Sequence, residues 1–471
     1  MNYPGKNKKI LVMGLGLFGG GVGLVKFLVR SGARVTVTDI RKESELQESL
    51  SVLKDLPITY KLGAHQESDF SSADLIFVNP AIPKDSPYLR LAQKHGVPLD
   101  TEMNLFFRLC PGPIIGITGT NGKTTTTALV GAILKKSGRR IWVGGNIGGE
   151  SLLNKIDDSL NGENIIRNDD PAVLELSSFQ LEDLSVIQKS PRLSVVLNLR
   201  PNHLDRHRTM VNYINAKKNI IRYQSAADDA ILNFDDAEIK KWGSECAGQT
   251  VWFSRYNEVS EGAFFKGGVF YLKHNGRIQE ICSVNDINLL GEFNRENILA
   301  AIAVAGRFGV TPEQIRETIR EFKGVEHRLE LVAEINGVKY YNDSIATNPD
   351  STIAALEAIN SPIILIAGGS DKNLPFDKLA QVMAQRAKTV ILMGATAEKI
   401  EFLLKKQPNS PEIIRVVSLE EAVRVGRVQA RPGETVLLSP ACASYDLFRN
   451  FAERGNLFKS LVNELRDGLL P

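Results

Sequence analysis

The chain is short of cysteine, of net charge and of uninterrupted apolar runs, and each shortage narrows what it can do. Its four cysteines, Cys110, Cys246, Cys282 and Cys442, are too far apart in 471 residues for zinc-ligand spacing or a disulfide framework. That usage suits a reducing cytoplasm, and the four read as small buried residues. A formal net charge of +3 argues against a dedicated nucleic-acid surface or a polybasic membrane patch, while leaving small acidic substrates open. The one long apolar stretch, from Ile10 to Val29, is cut by Gly14, Gly16, Gly19, Gly20, Gly21, Gly23 and Lys26 and has no small-residue cleavage site. It reads as strand, tight turn and helix, so neither an export signal nor a membrane span is expected. Fixed-period repeats and low-complexity tracts are also missing.

What is present is an alternation of short β-branched runs with longer helical patterns from end to end, the mark of parallel sheets with crossover helices. Strands are expected at Lys9 to Met13, Arg34 to Thr38 and Leu75 to Val78. A second series runs through Ile114 to Thr118, Val173 to Leu176 and Leu193 to Leu197. A third comprises Gly337 to Tyr341, Ile363 to Ala367, Thr389 to Met393 and Thr435 to Leu438. The breaker-rich segments Cys110-Pro-Gly-Pro113 and Phe322-Lys-Gly324 predict three consecutive α/β domains, residues 1–112, 113–323 and 324–471.

The strongest local signal is Gly116-Ile-Thr118-Gly119-Thr120-Asn121-Gly122-Lys123-Thr124-Thr125, placed after a strand and before a helix. Glycines let the backbone wrap a polyphosphate, and the helix start supplies amide donors. Lys123 reaches the terminal phosphates, and Thr124 ligates magnesium. The glycines are shifted from the common spacing, with Ile117 where the first is usual, yet an ATP site is the expectation, and with it a central P-loop ATPase domain. Near the N-terminus, Gly14-Leu15-Gly16-Leu-Phe-Gly19 with Asp39 ending the next strand has the layout of a dinucleotide fingerprint, implying a Rossmann-like N-terminal domain. Alone it fits NAD, another nucleotide diphosphate or merely a tight turn. A second ligand carrying a diphosphate is the preferred reading.

Two further strand ends carry polar residues: Glu175-Leu-Ser177-Ser-Phe-Gln180 and Asn198-Leu-Arg-Pro-Asn202-His203-Leu-Asp205-Arg206. A carboxylate and a neutral imidazole beside a phosphate loop could hold a second magnesium on the transferring phosphate. Taken singly, Glu175 could be a solvated strand end and His203 a hydrogen-bonded loop histidine.

Taken together with Tyr213 to Lys217, Gly291-Glu-Phe-Asn-Arg-Glu-Asn297, Glu326-His-Arg328, Asn342-Asp343-Ser344 and Ser439 to Phe451, these motifs resemble the Mur ligases, in family order and across the whole chain. Within that family, Asn342 to Asn348, Ser439 to Phe451 and the Gly-rich N-terminal domain are most similar to members that add D-glutamate. The resemblance implies a monomeric, cytoplasmic, ATP-dependent ligase with two magnesium ions and a Rossmann-like C-terminal domain. Its substrates would be UDP-N-acetylmuramoyl-L-alanine and D-glutamate, joined through an acyl phosphate during peptidoglycan precursor synthesis.

Position by position, the resemblance assigns Lys123 and Thr124 to ATP and the first magnesium, and Glu175 and His203 to the second. Lys217 looks like the family's carbamylated lysine, with Lys218 the alternative. Asn297, Arg328 and Asp343 would serve ATP. Leu15, Gly16, Asp39, Arg41, Asn79, Asn146 and Ser177 would serve the UDP substrate, and Thr347, Lys372, Ser444 and Phe451 would serve D-glutamate. Asn202, Ile345, Ala81 and Ser370 depart from the residues the family usually carries. Rival readings are a folylpolyglutamate synthase, a nicotinamide-dependent dehydrogenase and a non-catalytic nucleotide-binding module.

Overall fold

The computed structural model describes residues 5–16, 20–147, 151–156, 165–289, 291–371 and 374–468, apart from the side chain of Asp205. Three sheets follow one another along the chain. The first is wholly parallel and contains β1 (Lys9–Met13), β2 (Arg34–Asp39), β3 (Ile58–Leu62), β4 (Leu75–Val78) and β5 (Leu99–Asp100) in the order β3-β2-β1-β4-β5.

The second sheet holds β6 (Ile114–Thr118), β7 (Trp142–Gly145), β8 (Ala172–Glu175), β9 (Leu193–Val196), β10 (Asp229–Asn233), β11 (Gln249–Ser254), β12 (Gly262–Lys266), β13 (Val269–His274) and β14 (Arg277–Ser283). Their order is β14-β13-β12-β11-β10-β9-β6-β8-β7. The third holds β15 (Glu330–Ile335), β16 (Val338–Asn342), β17 (Ile363–Ala367), β18 (Ala387–Leu392), β19 (Glu412–Arg415) and β20 (Thr435–Leu438), ordered β15-β16-β20-β17-β18-β19.

The central strands are covered on both faces. Every residue of β6, β8, β9, β17 and β20 is buried, the continuous apolar pattern of a parallel sheet sandwiched between helices. Each sheet also has a switch point where neighbouring strands lead their helices to opposite sides, and loops at the carboxyl ends there form a crevice. In the first sheet that point lies between β1 and β4, and in the second it lies around β6, flanked by β8 and β9.

The expected parallel pattern is corrected in two sheets, since β15 also pairs antiparallel with β16 in the third. The middle sheet does not stay parallel to its end: β12, β13 and β14 form an antiparallel meander. Its turns, Gly267-Gly268 and Asn275-Gly276, all have positive φ, the geometry that closes two-residue hairpins. The cysteine expectation is also corrected, since Cys282 and Cys442 are buried whereas Cys110 and Cys246 are only half-buried. The first two sheets share one compact unit, Met1–Asp286 with Glu296–Ile319, and the third belongs to another, Ile287–Arg295 with Arg320–Pro471. Among the described residues, no helix is long and apolar enough to cross a membrane.

Candidate active site

The phosphate loop is held from both sides before any ligand arrives. Gly122 has φ +84°, and a Cβ there would fall 2.1 Å from Oδ1 of Asn297. The same Oδ1 accepts from Thr126 Oγ1 at 3.2 Å, so Asn297, itself buried, packs directly under the loop. On the other side, Asn198 accepts from the Asn121 N–H at 2.9 Å and donates back to the Asn121 carbonyl at 3.2 Å. Thr120 Oγ1 accepts from the Arg200 N–H and lies 3.0 Å from the Tyr213 hydroxyl, while Thr118 Oγ1 donates to Leu176 O. Gly116 lies within β6, where a Cβ would come within 2.3 Å of Pro191, so packing alone requires glycine there. Lys123 opens the helix Lys123–Lys136 and donates to the carbonyls of Gly119 and Thr120 at 3.1 and 2.9 Å. Thr124 is half-buried beside it and Thr125 is buried.

Glu175 ends β8 and is only 2% exposed. Its Oε1 accepts from Asn146 Nδ2 at 3.1 Å, and its backbone carbonyl accepts from the Asn146 N–H at 2.8 Å. Its Oε2 is buried with no hydrogen-bond partner. A carboxylate oxygen left in that state is costly, and a cation would relieve it.

Lys217 is 1% exposed on the helix Met210–Arg222, and its Nζ donates to Thr118 Oγ1 at 3.2 Å and to Gly119 O at 2.9 Å. Burial holds its pKa well below 10.5; repulsion from Lys123 adds to that shift, and Glu175 opposes it. Lys218, by contrast, turns outward to pair with Glu245.

Among the described residues, no group of three His, Cys, Asp or Glu stands ready to hold a metal. The donors actually at hand are the Thr124 hydroxyl, the free oxygen of Glu175 and the buried amine of Lys217. They suit a hard cation that takes its remaining oxygens from phosphate and water, provided the amine is converted to a carboxylate. His203 is exposed, sits at φ +53° and has its ring 5.1 Å from that of Phe179. The imidazole buried in this region is instead His207, stacked on the same Phe179 and 2.9 Å from Ser178 Oγ, with burial lowering its pKa.

The N-terminal crevice is built from two loops tied together. Gly14 and Gly16 have φ +85° and +73°, and a Cβ on Gly14 would stand 3.0 Å from that of Asn79. Asn79 donates to Gly14 O and accepts from the Ala81 N–H. Asp39, 2% exposed, accepts from the backbone N–H groups of Leu15 and Arg41 at 3.0 Å each, with the Arg41 guanidinium 3.6 Å away. The Leu15 side chain belongs to the core. Gly19 lies outside the described residues. Ser177 caps the helix Ser178–Ile187 in a capping box with Gln180.

In the other unit, loops after β16 and β20 converge on the start of the helix Phe451–Arg466. Arg454, 1% exposed, donates to Ser344 Oγ at 3.0 Å, Ser344 O at 2.9 Å and Cys442 O at 3.2 Å. Ser344 in turn donates to Phe451 O. Thr347, Ser444 and Phe451 therefore sit on three segments pinned by one arginine. Lys372 lies outside the described residues. Asp343 is buried, accepts from Ser439 Oγ and from the Leu329 N–H, and is pushed up to about 7 by burial. Arg328 Nε is buried without a hydrogen-bond partner.

Three family models match the chain: a Mur ligase MurD-like N-terminal domain over residues 8–100, a Mur ligase middle domain over 117–305, and a Mur ligase glutamate ligase domain over 327–442. The chain belongs to the Mur ligase family. Curated relatives include the UDP-N-acetylmuramoylalanine--D-glutamate ligases of Acetivibrio thermocellus and Roseiflexus sp., each 43% identical. The first alignment covers 98% of this chain and 97% of the relative, the second 97% and 98%. The fold is shared with the UDP-N-acetylmuramate-alanine ligase of Thermotoga maritima, at TM-score 0.62 and 22% identity, covering 98% of this chain and all of that one. A pseudomurein peptide ligase type C from Methanothermus fervidus gives 0.55 and 21%, again over 98% of this chain. The match over residues 8–100 sets aside the folylpolyglutamate synthase and dehydrogenase readings.

In this Mur ligase the four departures have local explanations in part. Asn202 turns its Oδ1 back to the His203 N–H, Ala81 donates to Asn79, and Ser370 donates to Asp446. Nothing in the structure explains Ile345. The residues missed by sequence reasoning are His207 and Arg454, and Asn198, though named at its strand end, was given no role. His207 lies one turn beyond His203 in the same motif, a signal that was available. Arg454 lies one turn beyond Phe451, but its burial shows only in the packed structure.

Proposed function

We propose that this Mur ligase joins D-glutamate to the carboxyl group of UDP-N-acetylmuramoyl-L-alanine, the pair its relatives' names describe, at the expense of ATP. The observation that supports the chemistry best is the fully buried Lys217 placed against the phosphate loop opposite a Glu175 oxygen that has no donor. ATP lies along residues 116–125, with Lys123 moving from the loop carbonyls to the terminal phosphates. Asn297, Arg328 and Asp343 complete the nucleotide contacts. The substrate carboxylate attacks the γ-phosphorus, ADP leaves, and the acyl phosphate formed is then attacked by the amine of D-glutamate, releasing phosphate. A carboxylate is a poor electrophile, and the phosphoryl group gives it something to expel.

Two magnesium ions, when bound, neutralise charge between two anionic reactants. Thr124 would hold the first. Glu175, His203 and Lys217 would hold the second, Lys217 after adding carbon dioxide: the neutral amine attacks carbon, a proton leaves nitrogen, and a carboxylate results. Leu15, Gly16, Asp39, Arg41, Asn79, Asn146 and Ser177 form the UDP-substrate side. Thr347, Lys372, Ser444 and Phe451 hold D-glutamate. These roles divide among domains 1–112, 113–323 and 324–471. We place the enzyme in the cytoplasm, in keeping with the free cysteines, and take it as a monomer.

Phosphate release should be measured with ATP, magnesium and UDP-N-acetylmuramoyl-L-alanine, adding D-glutamate, L-glutamate, L-alanine or meso-diaminopimelate in turn. Release is expected with D-glutamate and far less with the others. Equal turnover with L-alanine or diaminopimelate would overturn the assignment.

A further inference from the structure

Arg206 belongs to the His203 turn but has no role in the reaction described above. Its surroundings give it one. The guanidinium carbon lies over Phe179, 4.1 Å from the ring centroid, and Nη2 donates to the carbonyl of Ile82 at 2.9 Å. Phe179 is the ring that also carries His203 and His207 on its surface, each 5.1 Å away between centroids. Ile82 closes the loop after β4: its N–H donates to Asn79 O at 2.9 Å, and a Cβ on Gly14 would touch its side chain at 3.3 Å. One planar cation thus touches both the loop assigned to the UDP substrate and the aromatic platform under the histidine turn.

Neighbouring charges tie the same loop to the helix that carries Phe179. Lys84, two residues past Ile82, pairs with Asp183 at 2.7 Å and Glu182 at 3.2 Å on the helix that begins beside Phe179. Asn104 Nδ2 also donates to Asp183 O. Arg206, on the turn Leu204–His207, and Lys84, on the loop after β4, thus meet the same helix from different segments. A guanidinium can stack with its face while donating from its edge; an ammonium cannot do both at once.

We propose that Arg206 is a positioning residue that fixes the Asn79–Ile82 loop against the Phe179–His203 platform, setting the distance between the UDP substrate's diphosphate and the phosphoryl-transfer site. This rests on the proposed function, since it presumes which loop meets which substrate. A small displacement of an aligned reactant is enough to lower rate.

The test is steady-state kinetics on the full-length enzyme. Arg206→Ala should raise KM for UDP-N-acetylmuramoyl-L-alanine about tenfold and lower kcat several-fold, with KM for ATP changed less than about twofold. Arg206→Lys should recover only part of the loss, and Phe179→Leu combined with Arg206→Ala should be no worse than either alone by more than about twofold. Arg208→Ala breaks an exposed pair with Asp85 that joins the same two segments, and should stay close to wild type.

Full recovery by Arg206→Lys would overturn the stacking role. Parallel changes in both KM values, or a lowered melting temperature with unchanged kinetics, would overturn the positioning role. Calorimetric titration with the UDP substrate alone reads the same latch without turnover. A wild-type enzyme that binds nothing there sinks the parent reading, whereas equal affinity of wild type and Arg206→Ala sinks only this one.

Discussion

Replacing Lys217 with alanine tests the centre of the reading most directly. The side chain is 1% exposed and gives two hydrogen bonds to the loop, at Thr118 and Gly119. Truncating a buried chain of this length costs about 2–4 kcal/mol of packing. That loss is offset by removing a group whose charged form is poorly solvated, so the variant should remain folded with a modest change in melting temperature. Turnover should behave differently. If Lys217 supplies a metal-directed carboxylate, its loss should cut kcat at least about a hundredfold, close to 2.7 kcal/mol of transition-state stabilisation.

The assay is phosphate release under saturating substrates, with melting curves on the same samples. Short carboxylic acids should restore part of the rate by filling the vacated space, and Lys218→Ala, at an outward-facing position, should be mild. Stability supplies an independent check of sign. The folded state resists protonating Lys217, so between its lowered folded-state pKa and 10.5 unfolding takes up a proton and stability rises with pH toward 10.5. Lys217→Met should lack that slope. A Lys217→Ala enzyme keeping more than about a tenth of wild-type kcat, or a Lys218→Ala enzyme that loses more, would refute the argument.

Gly122→Ala should weaken ATP binding about tenfold, because its φ of +84° and the 2.1 Å approach to Asn297 force the loop to move; an unchanged KM for ATP would contradict this. Asp343, with a pKa raised from 3.8 to about 7, contributes stability that is fully present below 3.8 and is lost as pH rises toward about 7. Urea midpoints across that window should fall for wild type and stay level for Asp343→Asn. Arg454→Lys should raise KM for D-glutamate about tenfold while leaving KM for the UDP substrate alone, since it unpins the segments bearing Thr347, Ser444 and Phe451. Equal effects on both constants would mean that Arg454 serves stability only.

The elements legible in the sequence were those with a strong local signature. β1, β4, β6, β17 and β20 are found with the bounds expected, because each is an apolar run bounded by breakers. The edge strands β3, β5, β7 and β19 were not, since their half-exposed residues lack that run. The β12–β14 meander was missed although Asn275-Gly276 announces it, because a reading tuned to βα alternation passes over hairpins. For the site, residue types were readable from motifs but partnerships were not. Asn146 meets Glu175 across 29 residues, and Lys217 meets Thr118 across 99. No periodicity encodes such contacts; they follow from which strands lie side by side.

That adjacency also explains why the middle sheet tolerates local violations around the phosphate loop. Glu175 has a buried oxygen without a donor, Lys217 is a buried amine, and Lys217 and Lys123 repel each other. Each costs stability by itself, and a core chosen for stability alone would remove all of them. A carbamate on Lys217 would turn the repulsion from Lys123 into attraction. It would also set a second carboxylate beside Glu175, a pair that is tolerable only with a cation between them. The same step therefore demands the metal that the orphaned Glu175 oxygen invites, so carbon dioxide and magnesium must favour each other's binding by equal factors. Local costs that cancel only when a particular set of ligands assembles are what distinguish a reaction site from a flaw in packing.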